Sequence, residues 1–207
     1  MPSEPLTDIL GLLAVAGLIL LNALLVAAEF AIVRIRRTRV DELVAQGDPP
    51  ARWVQRALQD TGRFIATTQL GITTVGLALG WLAEPVVARL FDSALQRLPQ
   101  GWQTGFAFGL SSALAFAVTT FVLVVAGELA PKAVALQDPE RTARLVARPI
   151  LAAAIVVRPI TWLLNLAGQA FARLLGVRSA SPADLAHSVE ELKMLVSASA
   201  ESGMVQD

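Results

Sequence analysis

The feature that most constrains this chain is an apolar stretch from Ile9 to Val33, in which Asn22 and Glu29 are the only strongly polar residues. It exceeds the roughly 20 residues that an α-helix needs to cross the hydrocarbon of a bilayer. Secretory signal peptides begin with a positively charged region, whereas the residues ahead of this stretch include Glu4 and Asp8. We therefore expect a retained membrane span at about 8–34.

Two later apolar runs have a similar length. Phe64 to Ala83 predicts a second span at about 62–84, and Gly105 to Gly127 predicts a third at about 104–130. Proline cannot continue the hydrogen-bond ladder of a helix, so Pro85 and Pro131 are expected to end these spans. With 55% hydrophobic and 16% charged residues, the chain is predicted to be an all-α integral membrane protein with three transmembrane helices.

The distribution of arginine predicts the orientation, because Lys and Arg in short connections stay on the cytoplasmic side. The second connection offers only Arg89 and Arg97, whereas the first carries Arg34, Arg36, Arg37, Arg39, Arg52, Arg56 and Arg63. We expect a multi-pass protein of the cytoplasmic membrane, with its N-terminus outside and its C-terminus in the cytoplasm. The chain has 17 basic and 17 acidic residues, so we interpret the arginine cluster as a topology signal and expect no nucleic-acid partner.

The segments outside the spans are predicted to form surface helices. Two short ones are expected around Arg39–Ala45 and Ala51–Gln59, on either side of a Gly47–Pro50 turn. Interfacial helices are expected at about 139–177. There, a polar stripe favours a helix lying on the membrane over a fourth crossing. That stripe consists of Arg158, Trp162, Asn165, Gln169 and Arg173.

Residues 181–207 differ in character from everything before them. Ser188 and Glu191 have the spacing of a capping box at the start of an amphipathic helix. A lone helix cannot bury its apolar face, so this region is expected to be the start of a truncated cytosolic helical bundle. Residues 1–180 would then form the transmembrane domain.

Glu128 is the principal candidate for a functional residue, because an ionisable group within a span is costly. Pro131 has no N–H to donate to the carbonyl of Gly127, which leaves that oxygen free for another partner. A carboxylate beside a free carbonyl predicts an oxygen-rich site. We expect Glu128 to face inward, towards a small hydrated cavity close to Asn22 and Thr67. The alternative is that Glu128 only ends the span at the interface.

The other spans add neutral oxygens. Asn22 lies near the middle of the first span and must find a polar partner. Thr67 and Gly71 share one face of the second span, whereas Gly76 and Gly80 form a small-residue pattern typical of close helix packing. Glu29 could reach the interface or pair with Arg34 or Arg63.

This inventory favours a hard cation. Carboxylate, amide and carbonyl oxygens suit Mg²⁺, and the chain has no Cys and no His within a span for softer metals. Conduction of an anion would instead prefer a buried Lys or Arg, and none of the three apolar runs contains one. No motif typical of hydrolytic catalysis is present, so we do not expect an enzyme.

Several segments in the expected order resemble the transmembrane domain of the CNNM/CorC family. They are Asn22–Phe30, Thr67–Ile72, Gly80–Pro85, Gly127–Lys132, Asp138–Glu140 and Glu190–Leu192. The resemblance implies a homodimer of three-span subunits with a juxtamembrane helical belt. It also implies Mg²⁺ transport, generally efflux, with Na⁺ as a proposed coupling ion, and nucleotide binding only in CBS domains that this sequence lacks.

The resemblance also implies a set of ion-binding positions. The family's ion site corresponds here to Asn22, Thr67, Gly71 and Glu128, with Gly127 beside the last. Ile72 stands where the family has asparagine. Either Gln69, a turn earlier, rebuilds the coordination, or the metal selectivity differs.

Three hypotheses follow for the function. The first is a divalent-cation transporter that works by alternating access in a dimer. The second is a membrane-embedded regulatory or scaffold subunit of metal homeostasis, in which the polar residues only hold helices together. The third is a nonselective channel.

Overall fold

The computed structural model describes residues 5–95 and 105–176, and every regular element in these ranges is helical. The all-α prediction is confirmed. The elements, in chain order, are α1 (Pro5–Arg34), α2 (Arg37–Ala45), α3 (Pro49–Gln59), α4 (Thr61–Leu95), α5 (Gly105–Val122), a π-helical segment (Leu123–Leu129), α6 (Ala130–Gln137), α7 (Pro139–Val156) and α8 (Arg158–Leu174). The predicted start of the third span near 104 and the predicted cytosolic bundle at 181–207 lie outside the described residues.

Three helical stretches of the described chain are long and apolar enough to cross a membrane. They are Leu6–Arg34, Thr61–Phe91 and Ser112–Gln137, and the last combines α5, the π-helical segment and α6. The protein is therefore a multi-pass membrane protein. A fourth crossing would require α7 and α8, which are separated by a bend at Val157, to form one broken span. A surface position for this pair stays a prediction, as does the orientation of the termini.

Helices α1 and α4 pack antiparallel, with small residues at their closest approaches. A Cβ atom on Gly11 would lie 2.9 Å from Cγ2 of Val86, and one on Gly71 would lie 2.9 Å from Cδ1 of Leu25. Near the start of α1, Asp8 Oδ1 accepts a hydrogen bond from Arg89 Nε at 2.9 Å. The two helices are thus held in a fixed register along most of their length.

Pro85 does not end the second helix, which is a correction to the sequence prediction. Helix α4 continues through Pro85 to Leu95. Pro85 is exposed and removes only the bond to the carbonyl of Trp81, whereas Val86 just beyond it is buried against α1. Packing against α1 and the Arg89 ion pair thus carry the helix past the break.

Pro131 likewise does not end the third helical stretch, which continues to Gln137. The prediction for Gly76 and Gly80 is also wrong for this chain, because nothing among the described residues lies within 4 Å of a Cβ built on either. The close approaches involve Gly11, Gly71 and Gly127 instead.

Helices α2, α3 and α7 form what we call the juxtamembrane belt, and the two short helices predicted from the sequence are confirmed within it. Gly47 turns the chain between α2 and α3 with φ +85°, a left-handed conformation that favours glycine. Helix α7 packs against α1 and α3. The buried apolar residues of the belt are Val40, Ala51, Val54, Ala57, Leu58, Ala143, Val146, Ala147, Ile150 and Ala154.

Polar contacts join the belt helices as well. Arg144 donates to Asp48 at 2.8 Å, and Arg39 Nε lies 3.3 Å from a Glu140 oxygen. Hydrogen bonds to the carboxylates of Glu42 and Glu140 raise the pKa of Arg39 above its ordinary value, so Arg39 stays charged. These contacts link α2 and the turn after it to α7.

The chain divides into two compact units, residues 1–161 and 162–207. In the described part of the second unit, residues 162–176, almost every side chain is exposed. These residues include Trp162, Asn165, Gln169 and Arg173 of the predicted polar stripe, and exposed apolar side chains such as Leu163 and Phe171.

Candidate functional site

The clearest polar contact inside the helical bundle joins the first and third spanning stretches. Asn22, which is only 1% exposed, donates from Nδ2 to the carbonyl oxygen of Gly127 at 3.1 Å. An unpaired amide at this depth would be costly, because no water is available to bond it. The expectation that Asn22 must find a polar partner is therefore confirmed.

The partner oxygen becomes available through the local backbone of the third stretch. Pro131 has no N–H, so the carbonyl of Gly127 cannot receive its usual donor four residues later. From Leu123 to Leu129 the chain adopts a π-helix, a wide turn that is rare and often found at functional sites. The prediction of a freed carbonyl at Gly127 is thus correct, and the group that takes it is Asn22.

Glycine at position 127 makes this contact possible. A Cβ there would lie 2.8 Å from Cδ1 of Leu123 and 3.4 Å from Nδ2 of Asn22. A larger side chain would force either the neighbouring turn or the Asn22 amide to move. Gly127, which is buried, therefore acts both through its oxygen and through its lack of a side chain.

Glu128 does not share this enclosure. Its side chain is exposed in the single chain, and it is not among the residues that line a neighbouring cavity of about 860 Å³. That cavity lies between α1, the end of the third stretch and α7. The expected inward-facing carboxylate, enclosed together with Asn22 and Thr67, is not formed by one chain. A carboxylate that faced lipid within a spanning stretch would be costly.

Thr67 is buried, but its hydroxyl is already used. Its Oγ1 donates to the carbonyl of Arg63 in the same helix at 2.9 Å, as Thr68 does to Ile65. The register of α1 against α4 places Thr67 level with Phe30, about 12 Å along the helix axis from Asn22. Thr67 therefore lies away from the Asn22 and Gly127 contact.

Gly71 lies between these two levels, directly against Leu25 of α1. A side chain at this position would collide with Leu25, which gives Gly71 a packing role. Whether the backbone around Gly71 also binds an ion stays a prediction.

Gln69 has a partner that the sequence reasoning missed. Its Nε2 lies 3.5 Å from Oε1 of Glu29, a long hydrogen bond between α4 and α1. Of the two alternatives for Glu29, a pair with Arg34 or Arg63 is not formed, and a position at the interface stays a prediction. Arg63 instead donates from Nη2 to the carbonyl of Ala154 on α7 at 3.3 Å. The antiparallel α1 and α4 register was the signal that could have identified the Glu29 and Gln69 pair.

The predicted site residues thus fall into separate levels of the bundle. Asn22, Gly127 and Glu128 lie together near the π-helical segment, whereas Gln69 pairs with Glu29 nearer the belt. Across residues 5–95 and 105–176, no three His, Cys, Asp or Glu side chains are grouped closely enough to hold a metal. Within these ranges a divalent cation would therefore meet fewer than three such side chains and would need neutral oxygens as well.

Comparison with known proteins identifies relatives along almost the whole chain. The family model for the cyclin M (CNNM) transmembrane N-terminal domain matches residues 13–207. UPF0053 protein YhdT of Bacillus subtilis is 38% identical over 96% of this chain and 42% of its own length. UPF0053 protein YhdP of the same organism is 37% identical over 96% of this chain and 44% of its own length.

A more distant relative, the uncharacterized protein MT1889 of Mycobacterium tuberculosis, is 33% identical over 96% of this chain and 56% of its own length. The chain thus spans about half the length of these relatives. The family model covers the spans, the π-helical segment and the belt together, in agreement with the resemblance carried by the sequence motifs. The chain therefore belongs to the CNNM family of membrane proteins, of which it carries the transmembrane domain.

Proposed function

We propose that this protein moves a divalent cation, Mg²⁺, across the cytoplasmic membrane as a homodimer that works by alternating access. Membership of the CNNM family supports metal transport in general. The proposed direction is efflux, and the proposed coupling ion is Na⁺. The observation that carries the proposal is the exposed Glu128 at the end of the π-helical segment, beside the Asn22 and Gly127 contact.

The position of Glu128 supports both the ion and the dimer. It lies within the spanning stretch Ser112–Gln137, where a carboxylate facing lipid would cost roughly 2 kcal/mol or more. A second copy of the chain would cover this face and bring a second Glu128 near the first. Two carboxylates with amide and carbonyl oxygens around them match the ligands that Mg²⁺ prefers.

The backbone of the π-helical segment could adopt two conformations, the π-helix and an α-helix. A wide turn between α5 and α6 can relax towards α-helical geometry, which would change the donors around the carbonyl of Gly127. We propose that this change opens the ion site to one side of the membrane and then to the other. Helix α1 would follow through Asn22.

A second function, a regulatory or scaffold subunit without transport, is favoured by one specific set of contacts. The hydroxyls of Thr67, Thr68 and Thr74 all donate to carbonyls of their own helix, and Gln69 pairs with Glu29. Polar residues used in this way hold the bundle together.

A flux measurement separates the two functions. Protein reconstituted into liposomes that contain a Mg²⁺-sensitive dye is expected to move Mg²⁺, and Glu128→Gln, which keeps the shape but removes the charge, should lower the rate at least tenfold. The matched control is Glu84→Gln, an exposed carboxylate on α4, which should leave the rate within twofold. Absence of flux in the unmodified protein would favour the scaffold. Rates far above carrier turnover would indicate a channel.

A further inference from the structure

A small pocket lies where α3, the start of α4 and α7 meet, away from the Asn22 and Gly127 contact. Its volume is about 250 Å³. Part of its lining is polar or aromatic and part is apolar. The residues that decide its chemistry are Trp53, Arg56, Arg63, Phe64, Leu151 and Ile155.

The polar part of this pocket carries an excess of positive charge. The guanidinium of Arg56 lies 4.7 Å from the centre of the Trp53 ring, and that of Arg148 lies 5.8 Å from the same ring. Arg63 contributes the second guanidinium of the lining, whereas Arg148 lies beside Trp53 and is not a lining residue. The lining also contains one carboxylate, Asp60, whose Oδ1 accepts from the backbone N–H of Arg63 at 3.1 Å, so that two guanidinium groups and one carboxylate leave an excess of one positive charge.

Arg63 is incompletely satisfied. Its Nη2 donates to the carbonyl of Ala154, but its Nε is buried and has no acceptor among the described residues. A buried donor of a charged group without a partner is costly, and the positive charge of this guanidinium at the wall of the pocket favours an anion nearby. The pocket therefore favours an anion.

The apolar part shows that a simple soluble anion is not the best fit. Ile155 is 70% exposed, and Leu151 and Phe64 continue the apolar wall inward. Phosphate alone would leave this wall uncovered. The pocket lies at the first turns of α4, where a membrane-spanning stretch begins at Thr61, so arginine, tryptophan and aliphatic groups meet at the boundary of the bilayer.

We propose that this pocket binds one anionic glycerophospholipid, with the headgroup phosphate against Arg56 and Arg63 and an acyl chain along Leu151 and Ile155. Basic pockets beside membrane helices commonly hold anionic headgroups. The site joins α3, α4 and α7, so a bound lipid would tie the belt to the second span. This lipid site is independent of the proposed ion transport and stands or fails separately from it.

Trp53 provides a direct probe of the site. In a variant with Trp81→Phe, Trp102→Phe and Trp162→Phe, the full chain retains Trp53 as its only tryptophan. It is reconstituted in phosphatidylcholine vesicles with increasing amounts of phosphatidylglycerol brominated on its acyl chains, which quenches nearby tryptophan. We expect Trp53 to show about a fivefold preference for phosphatidylglycerol over brominated phosphatidylcholine.

The matched control keeps Trp81 as the only tryptophan. Trp81 is 85% exposed on the same helix, α4, but far from the pocket, and it should show no preference between the two lipids. An equal preference at both tryptophans would overturn the proposal, because it would reflect the overall charge of the protein and not a site.

Two substitutions test the arginines. Arg63→Gln and Arg56→Gln should each reduce the preference at Trp53 to less than twofold, whereas Arg34→Gln, which removes an exposed charge outside the pocket, should leave it unchanged. Arg56 is exposed, so its variant remains informative if loss of the Arg63 contact to α7 impairs folding.

The source of the phosphate is tested by competition. Inorganic phosphate at millimolar concentration should not displace brominated phosphatidylglycerol, since it cannot use the apolar wall. Displacement by inorganic phosphate, or an unchanged preference in both arginine variants, would overturn the assignment of a phospholipid to this pocket.

Discussion

The membrane bundle and the juxtamembrane belt solve the same packing problem with different contacts. The bundle helices meet through apolar side chains at glycines, with few polar links between them. These are chiefly Asn22 to Gly127, Glu29 to Gln69 and, near the start of α1, the ion pair of Asp8 with Arg89. The belt combines its apolar core with ion pairs such as Arg144 to Asp48 and with arginines stacked on Trp53. The difference follows from the surroundings that each region meets.

The comparison shows in which region the contacts of a polar residue matter for structure and function. In the belt, water can replace a lost partner, so a partly exposed ion pair contributes little to stability. In the bundle no water replaces it, so each polar group needs a partner within the protein. Glu128 departs from this rule, because no partner for it is found within the described residues, but Glu84 on α4 and the buried hydroxyl of Thr119 have none either. Glu128 differs from them in lying beside the Asn22 and Gly127 contact, and this is why we propose a function for it beyond packing.

The largest effect on stability is expected where the bundle is tightest. Gly127→Leu should lower the free energy of unfolding by about 3 kcal/mol, because the new side chain collides with Leu123 and displaces the Asn22 amide. Thermal unfolding in detergent measures this. Gly80→Leu is the control, since it points into open space within the chain, and an equal loss at both positions would contradict the close packing at Gly127.

A smaller effect is expected from the hydrogen bond alone. Asn22→Leu should cost about 1 kcal/mol, the range measured for hydrogen bonds between membrane helices. The carbonyl of Gly127 would also lose its side-chain donor. Thr74→Val, which removes only a bond within α4, is the matched control and should cost less in the same unfolding assay. A cost at Asn22 no larger than that at Thr74 would show that the bundle does not depend on this contact.

The smallest effect is expected in the belt. Arg144→Gln should cost about 0.5 kcal/mol, because the Arg144 and Asp48 pair is partly exposed. A double-mutant cycle with Asp48→Asn isolates the pair, and the coupling should fall further at 1 M salt. A coupling of 2 kcal/mol or more that resists salt would remove the contrast between the two regions.

Much of the fold could be predicted from the sequence because membrane spans have a strong signal. Long apolar runs, the two short belt helices and the freed carbonyl at Gly127 were all accessible from residue patterns. Pro85 was misread because its effect depends on tertiary contacts. Burial of Val86 against Gly11 and the ion pair between Arg89 and Asp8 keep α4 helical beyond it, and neither contact is visible in a local pattern.

The site was harder to predict, because composition does not specify which residues meet. Asn22 and Gly127 are 105 residues apart in sequence. The sequence indicated that each needed a polar partner, but not that each is the partner of the other. Thr67 and Gln69 were grouped with them by residue type and by resemblance. The structure instead satisfies Thr67 within its own helix and pairs Gln69 with Glu29, because the register of α1 and α4 decides which residues lie level.

The central claim is that Glu128 faces a hydrated site lined by protein, although one chain alone leaves it exposed. The chain has no cysteine, so Glu128→Cys introduces a single thiol whose reaction with a charged, water-soluble methanethiosulfonate reagent can be measured in membranes. We expect rapid modification at this position and almost none for Leu20→Cys, which is exposed on α1 within the first spanning stretch. A thiol at position 128 as unreactive as one at position 20 would place Glu128 against lipid and contradict the account.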